Sequence, residues 1–170
     1  MLKSKGDETM SFSFNADEIL KMAEQIERNG ARFYRSAADA GFDQKISDKL
    51  LELAEMEDSH EKIFSTMRRE LDSRETESIA FDPDGETERY LMAMADSNIF
   101  DQTVDPSDQV RGKTIEQVLN IALATEKESI LFYLGLQNLV SERLGKGKVD
   151  GIVKEEIGHV ALLKGHLEAL

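Results

Sequence analysis

Glu27, Tyr34, Glu57 and His60 recur as Glu126, Tyr133, Glu156 and His159, each displaced by 99 residues. In both halves 30 residues separate the first Glu from the Glu of a Glu-x-x-His pair, so order and spacing are kept together. Carboxylates and imidazoles are donors to metal ions. A Glu and a His three apart on a helix project to the same side and can offer one oxygen and one nitrogen to a single ion. Leu20 and Leu119, Ala23 and Ala122, Phe33 and Phe132, and Leu71 and Leu170 match at the same offset, which makes the repeat a structural unit with a polar site inside it.

The elements that must position these residues are helices. Steps of three and four give Leu20, Ala23, Glu27, Gly30, Tyr34, Ala37 on a first helix and Leu50, Leu53, Glu57, His60, Phe64, Met67, Leu71 on a second. A third reads Leu119, Ala122, Glu126, Ser129, Tyr133, Leu136, Val140, and a fourth Val149, Ile152, Glu156, His159, Leu163, His166, Leu170. The acids and imidazoles thus occupy core positions at the middle of four apolar stripes. Four carboxylates buried together repel one another and lose hydration worth roughly several kcal/mol each. No Lys or Arg lies on these seams, which leaves protons or metal ions to compensate. One Glu from each of two helices plus Glu-x-x-His from each of two others is the donor set of ferritin-like di-iron and di-manganese proteins.

Through Glu27-x-x-Gly30-x-x-Phe33-Tyr34, Glu57-x-x-His60, Glu126-x-x-Ser129-x-x-Phe132-Tyr133 and Glu156-x-x-His159, the chain resembles the rubrerythrin-like branch of the ferritin-like superfamily over roughly residues 15–170. The resemblance implies an all-α fold, a ferritin-like four-helix bundle of two antiparallel helix pairs joined by a long crossover. It implies two Fe ions per chain, although carboxylate-rich N and O sites also suit Mn and Zn. By the same analogy Glu57 and Glu156 bridge the ions, Glu27 and Glu126 are terminal ligands, and His60 and His159 are the nitrogen donors. Tyr34 and Tyr133 lie two turns from Glu27 and Glu126, too far to touch them within one helix. Their hydroxyls are expected to reach a carboxylate on a facing helix and orient it; the plainer reading is an aromatic core residue with its hydroxyl at the rim. His166 is read as a core or helix-end histidine, not a third nitrogen donor.

Departures from the family limit what carries over. Classical rubrerythrins have an extra Glu one turn after the third-helix ligand, which supports the iron movement linked to peroxide reduction; here that residue is Ser129. Four Glu and two His resemble the ferroxidase centre of bacterioferritins, yet Asp58 stands where those carry a haem-ligating Met, and their fifth short helix is not expected. The chain has no Cys, which excludes disulfides, thiolate nucleophiles, iron-sulfur clusters and the four-Cys rubredoxin domain of full-length rubrerythrins. Electrons would come from a separate donor or from the iron substrate itself.

Composition narrows the reading. With 21 Lys and Arg against 34 Asp and Glu, the net charge of −13 repels phosphate backbones and argues against nucleic acid. An acidic surface can attract Fe²⁺, though a solvated face is its commoner meaning. No stretch approaches the roughly 20 apolar residues that span a bilayer, and Ser4 to Met10 lacks the apolar core of a signal peptide, so a cytoplasmic protein without a membrane partner is expected. The resemblance to dimeric rubrerythrin-like bundles implies a homodimer over a 24-subunit shell.

Residues 1–13 are expected to be a disordered or expression-derived start, with the bundle domain over 14–170. Asn15 with Glu18, and Thr114 with Gln117, form capping boxes; Phe14 can staple onto Ile19. The first helix is expected to run to about Gly41 and the third to end near Gly145, with short turns inside each half. Residues 73–113, containing Pro83 and Pro106, form a crossover running the height of the bundle, with a short helix over Glu88 to Phe100 in which Met92 and Met94 serve packing. Gly145-Lys-Gly147-Lys follows no strand and is read as a turn, not a phosphate loop. The functional expectation is a non-haem di-iron oxidoreductase, a peroxidase or ferroxidase using hydrogen peroxide or dioxygen. A dioxygen-using oxygenase on an organic substrate, a non-catalytic iron or manganese carrier and a regulatory bundle are the alternatives.

Overall fold

The computed structural model describes residues 15–72, 86–95 and 105–170. They form six helices: α1 Ala16–Ala38, α2 Gln44–Arg69, α3 Glu86–Ala95, α4 Pro106–Val110, α5 Ile115–Leu139 and α6 Lys146–Glu168. No strand occurs among the described residues. The expected third and fourth bundle helices are α5 and α6.

Each half begins with the same device. In α1 the Glu18 N–H donates to Asn15 Oδ1 at 2.9 Å while the Asn15 N–H donates to Glu18 Oε2 at 3.0 Å. In α5 the Gln117 N–H donates to Thr114 Oγ1 at 3.3 Å and the Thr114 N–H to Gln117 Oε1 at 2.9 Å. Both boxes satisfy amide groups that the first helical turn leaves unpaired. Phe14, the expected staple, lies outside the described residues.

The four long helices bury the stripes read from the sequence. α1 packs chiefly on α2 and α5 on α6. The core falls into two apolar clusters. One joins Leu20 and Ala23 of α1 to Phe64 and Met67 of α2, Tyr133 and Leu136 of α5, and Val149 and Ile152 of α6. The other joins Tyr34 and Ala37 to Leu50, Leu53, Leu119, Ala122 and Leu163. The start of α1 thus shares a cluster with the end of α5, so these two helices run antiparallel. Because α1 is also antiparallel to α2 across their short turn, α2 and α5 run parallel, and the chain between them must travel back along the bundle. Part of that path, residues 73–85 and 96–104, lies outside the described residues.

The crossover helix differs in its limits from the expected Glu88 to Phe100. It spans Glu86–Ala95 and packs against α5, with the Tyr90 hydroxyl donating to the Leu131 carbonyl at 2.5 Å. Met94 packs on the first cluster, as a packing role requires; the side chain of Met92 and residues 96–100 lie outside the description. A second short helix, α4, starts with Pro106 behind an Asp105 cap, packs on α1 and buries Val110 in the second cluster. It was not anticipated because five residues are too few for a periodic signal.

Three boundaries also differ. α1 stops at Ala38, short of Gly41, which adopts φ 83° in the turn beyond. α5 stops at Leu139, since Val140 is extended and the Leu144 N–H turns back to Ser141 Oγ at 3.1 Å. Gly145, with φ 115°, caps α6, so Lys146, Gly147 and Lys148 form the first turn of that helix and not a loop. Leu170, an expected seam residue, is 62% exposed past the end of α6.

Gly145 and Gly147 therefore respond oppositely to a Cβ. Gly145→Ala would strain a left-handed residue and meet Lys148 Cδ at 3.1 Å, with an expected loss of about 1 kcal/mol or more. Gly147→Ala meets nothing within 4 Å in a helical turn and should gain up to about 1 kcal/mol. Urea denaturation of both variants checks the pair of signs.

Candidate metal centre

Between the two apolar clusters lies a single polar layer. Glu27 of α1, Glu57 and His60 of α2, Glu126 of α5, and Glu156 and His159 of α6 are each at most 4% exposed. All six residues expected from the sequence are brought together. Their donor atoms form two sets, each converging within 4.8 Å: Glu27, Glu57, His60 and Glu156 in one, and Glu57, Glu126, Glu156 and His159 in the other.

Glu57 and Glu156 belong to both sets. Glu156 lies 2.9 Å from His60 Nδ1 through Oε1 and 2.9 Å from His159 Nδ1 through Oε2. Glu57 divides its oxygens likewise, Oε1 at 3.4 Å from His159 Nδ1 and Oε2 at 3.9 Å from His60 Nδ1. Glu27 approaches only His60, at 3.4 Å, and Glu126 only His159, at 3.7 Å. The two imidazoles stack with ring centroids 6.0 Å apart.

Tyrosines tie the layer together crosswise. The Tyr34 hydroxyl donates to Glu126 Oε1, and the Tyr133 hydroxyl donates to Glu27 Oε1. Both rings belong to the apolar clusters on either side. Each one therefore fixes a carboxylate of the opposite helix from a packed, immobile position. Gly30 allows close approach here, since a Cβ on it would stand 3.4 Å from the Glu57 carboxyl carbon. Its repeat counterpart Ser129 donates its hydroxyl to its own helix, at the Thr125 carbonyl, 3.1 Å away. Asp58 turns out of the layer and pairs with Arg35. His166, half-buried in the last turn of α6, belongs to neither donor set.

The polar atoms of the layer are poorly satisfied by the protein alone. Among the described residues, the buried side-chain atoms without a hydrogen-bond partner are Glu27 Oε2, Glu57 Oε1, both oxygens of Glu156, His60 Nδ1, and both nitrogens of His159. Every one belongs to this cluster. The His–Glu156 contacts are short, yet neither Nδ1 has a hydrogen-bond partner. Buried polar groups are rarely left in that condition, and carboxylate oxygens and ring nitrogens converging in this way are the donors a metal ion needs. The donor chemistry, hard oxygens with two imidazoles, fits iron, manganese or zinc.

Without an ion, protons must balance the layer. Burial pushes Glu57 and Glu126 well above the usual carboxylate range, with neighbouring carboxylates adding to the shift, and burial also raises Glu27. Burial alone would lower both imidazoles, yet the Glu156 and Glu27 carboxylates push His60 up to about 11, and Glu126 and Glu156 push His159 up to about 12. Burial likewise works against ionised Glu156, but the two histidines hold it down at about 2. Burial, with the adjacent carboxylates, raises both tyrosines, which stay protonated donors.

Sequence reasoning missed Glu155, whose Oε2 lies 3.0 Å from His60 Nε2. No periodic signal could reveal it, because the matching position in the first half is Met56. It also missed a cavity of about 550 Å³ beside the layer, reaching Glu57 and Glu126 and walled by Phe33, Ile121 and Ala122.

A sequence model of the rubrerythrin family matches residues 18–167. Among solved structures, a Thermotoga maritima protein described as a ferritin-like diiron-carboxylate protein is 28% identical to this chain, with a TM-score of 0.72 over 92% of this chain and 96% of that one. No curated protein matches the chain. No helix among the described residues is long and apolar enough to cross a membrane.

Ligating nitrogens must be unprotonated, so metal loading competes with protons. His60 and His159 are raised to about 11 and about 12 and carry their protons at neutral pH. Loading at pH 7 should therefore release at least both imidazolium protons, and affinity should rise with pH. Calorimetric titration in buffers of different ionisation enthalpy measures the count.

Proposed function

The chain belongs to the rubrerythrin family, and from that membership and its doubled Glu/His layer we propose that it is a non-haem di-iron oxidoreductase that reduces peroxide at the expense of Fe²⁺. The observation that carries the reading is the sharing of Glu57 and Glu156 between two donor sets. Were two ions bound, Glu27, Glu57, His60 and Glu156 would hold one and Glu57, Glu126, Glu156 and His159 the other.

Charge supports the count of two. Two divalent ions with neutral imidazoles would cancel four carboxylates, whereas with one ion the layer would still need protons for balance. When bound, a pair of ferrous ions supplies the two electrons that convert hydrogen peroxide and two protons into two waters. The protein's part is to fix coordination and exclude competing chemistry. Tyr34 and Tyr133 hold Glu126 and Glu27 in place from the facing helix, and the apolar clusters flank the layer along the bundle axis.

A second reading, a dioxygen-using oxygenase acting on an organic molecule, is favoured by the cavity. Peroxide needs space comparable to one or two waters, about 30 Å³ each. The cavity has about 550 Å³ and a mixed lining, with Ile26, Phe33 and Ile121 beside Asn29, Gln109 and Lys113, which is the scale of a small-molecule site.

Rapid mixing of the anaerobically Fe²⁺-loaded protein with each oxidant tests the proposal. Peroxide should oxidise both ions in one two-electron phase and outpace dioxygen. Oxidation no faster than that of Fe²⁺ in the same buffer would leave a metal carrier. Faster turnover with dioxygen than with peroxide would favour the oxygenase.

A further inference from the structure

The internal repeat provides a control within one chain. His60 and His159 occupy equivalent positions, both are buried, and both direct Nδ1 at Glu156 at 2.9 Å. Their outer nitrogens differ. His60 Nε2 hydrogen-bonds Glu155 Oε2 at 3.0 Å, whereas His159 Nε2 is buried with no hydrogen-bond partner among the described residues. The residue equivalent to Glu155 in the first half is Met56, whose thioether is a weak acceptor at best. One imidazole is therefore backed by a carboxylate and the other is not.

Building on the paired site proposed above, we propose that Glu155 is a positioning residue that makes the Glu27–His60 position the tighter of two inequivalent metal positions, so that the ions load in order. An imidazole ligates through a bare nitrogen. With Nδ1 facing the layer, the ring proton must sit on Nε2, and Glu155 accepts it, fixing the tautomer and the ring plane and increasing the basicity of Nδ1. His159 must keep the same tautomer with a buried N–H that no group among the described residues accepts. Each position has three carboxylate donors and one imidazole, so the outer contact distinguishes the two imidazoles where the donor sets themselves are alike. Glu155 has a side chain 53% exposed, and replacing it leaves the apolar clusters and all six layer residues unchanged.

Anaerobic titration of the metal-free full chain with Co²⁺, read by visible absorption and by calorimetry, tests this. The wild type should show two binding steps. Glu155→Ala should weaken the first by about 10–100-fold, the usual effect of removing such a partner, and leave the second in place. Glu155→Gln, whose amide oxygen still accepts, should restore most of the first step. Met56→Glu should tighten the second step and narrow the gap. A first step unchanged by Glu155→Ala, or two steps weakened equally, overturns the inference while the paired site stands. Failure of every form to take up Co²⁺ overturns the paired site, and the inference with it.

Discussion

Four carboxylates and two imidazoles share one buried layer, and the rest of the molecule is arranged around the cost of keeping them there. Ionised groups out of water lose hydration worth several kcal/mol each, so the layer is tolerable only if each charge finds a partner. The apolar clusters on either side supply the compensating stability, at roughly 1.5–3 kcal/mol for each fully buried large side chain. Phe64, Leu119, Leu136, Ile152 and Leu163 are all at most 1% exposed. The bundle thus reads along its axis as apolar, ionisable, apolar. Tyr34 and Tyr133 stitch the layers, since each ring packs in one cluster while its hydroxyl reaches the acids.

A repeated half-site can close on itself only if the two copies face each other. The crosswise tyrosine bonds express this: Tyr34 meets Glu126 and Tyr133 meets Glu27 only when α1 and α5 are antiparallel. Glu57 beside His159 and Glu156 beside His60 impose the same relation on α2 and α6. Once those directions are set, α2 and α5 are parallel, and a long crossover follows from topology and not from function. The approximate symmetry makes each exception informative. Gly30 against Ser129 changes the space beside Glu57, and Met56 against Glu155 changes what stands behind a histidine.

The layer and the fold class were legible in the sequence because spacing encodes direction on a helix. Glu27, Glu57, His60, Glu126, Glu156 and His159 sit on seams whose apolar members within the helices, such as Leu20, Leu53, Leu119 and Leu163, are buried as the period requires; Leu71, past the end of α2, is only partly buried. Caps were legible too, because Asn15 with Glu18 and Thr114 with Gln117 are local chemistry. The end of α5 and the start of α6 were not, because Gly145 can close a turn or cap a helix and only its φ of 115° decides. Glu155 was invisible for a different reason: its partner lies 95 residues away on another helix, and nothing at position 56 repeats it. Cavities are worse still, as the space walled by Phe33 and Ala122 depends on how α4 docks.

The protonation pattern explains how one sequence can fold before any ion arrives. In the metal-free chain, the imidazoles raised by their carboxylate neighbours supply positive charge, and burial with neighbouring carboxylates pushes Glu57 and Glu126 towards their protonated forms, so protons offset the negative charge of the layer. Protons and divalent ions are then alternative occupants of the same electrostatic role. A bundle built this way can keep its donors preorganised without unfolding, because the proton-filled state satisfies charge while leaving lone pairs unsatisfied in direction. An ion entering the layer would displace protons and take up donor atoms that the protein leaves without partners.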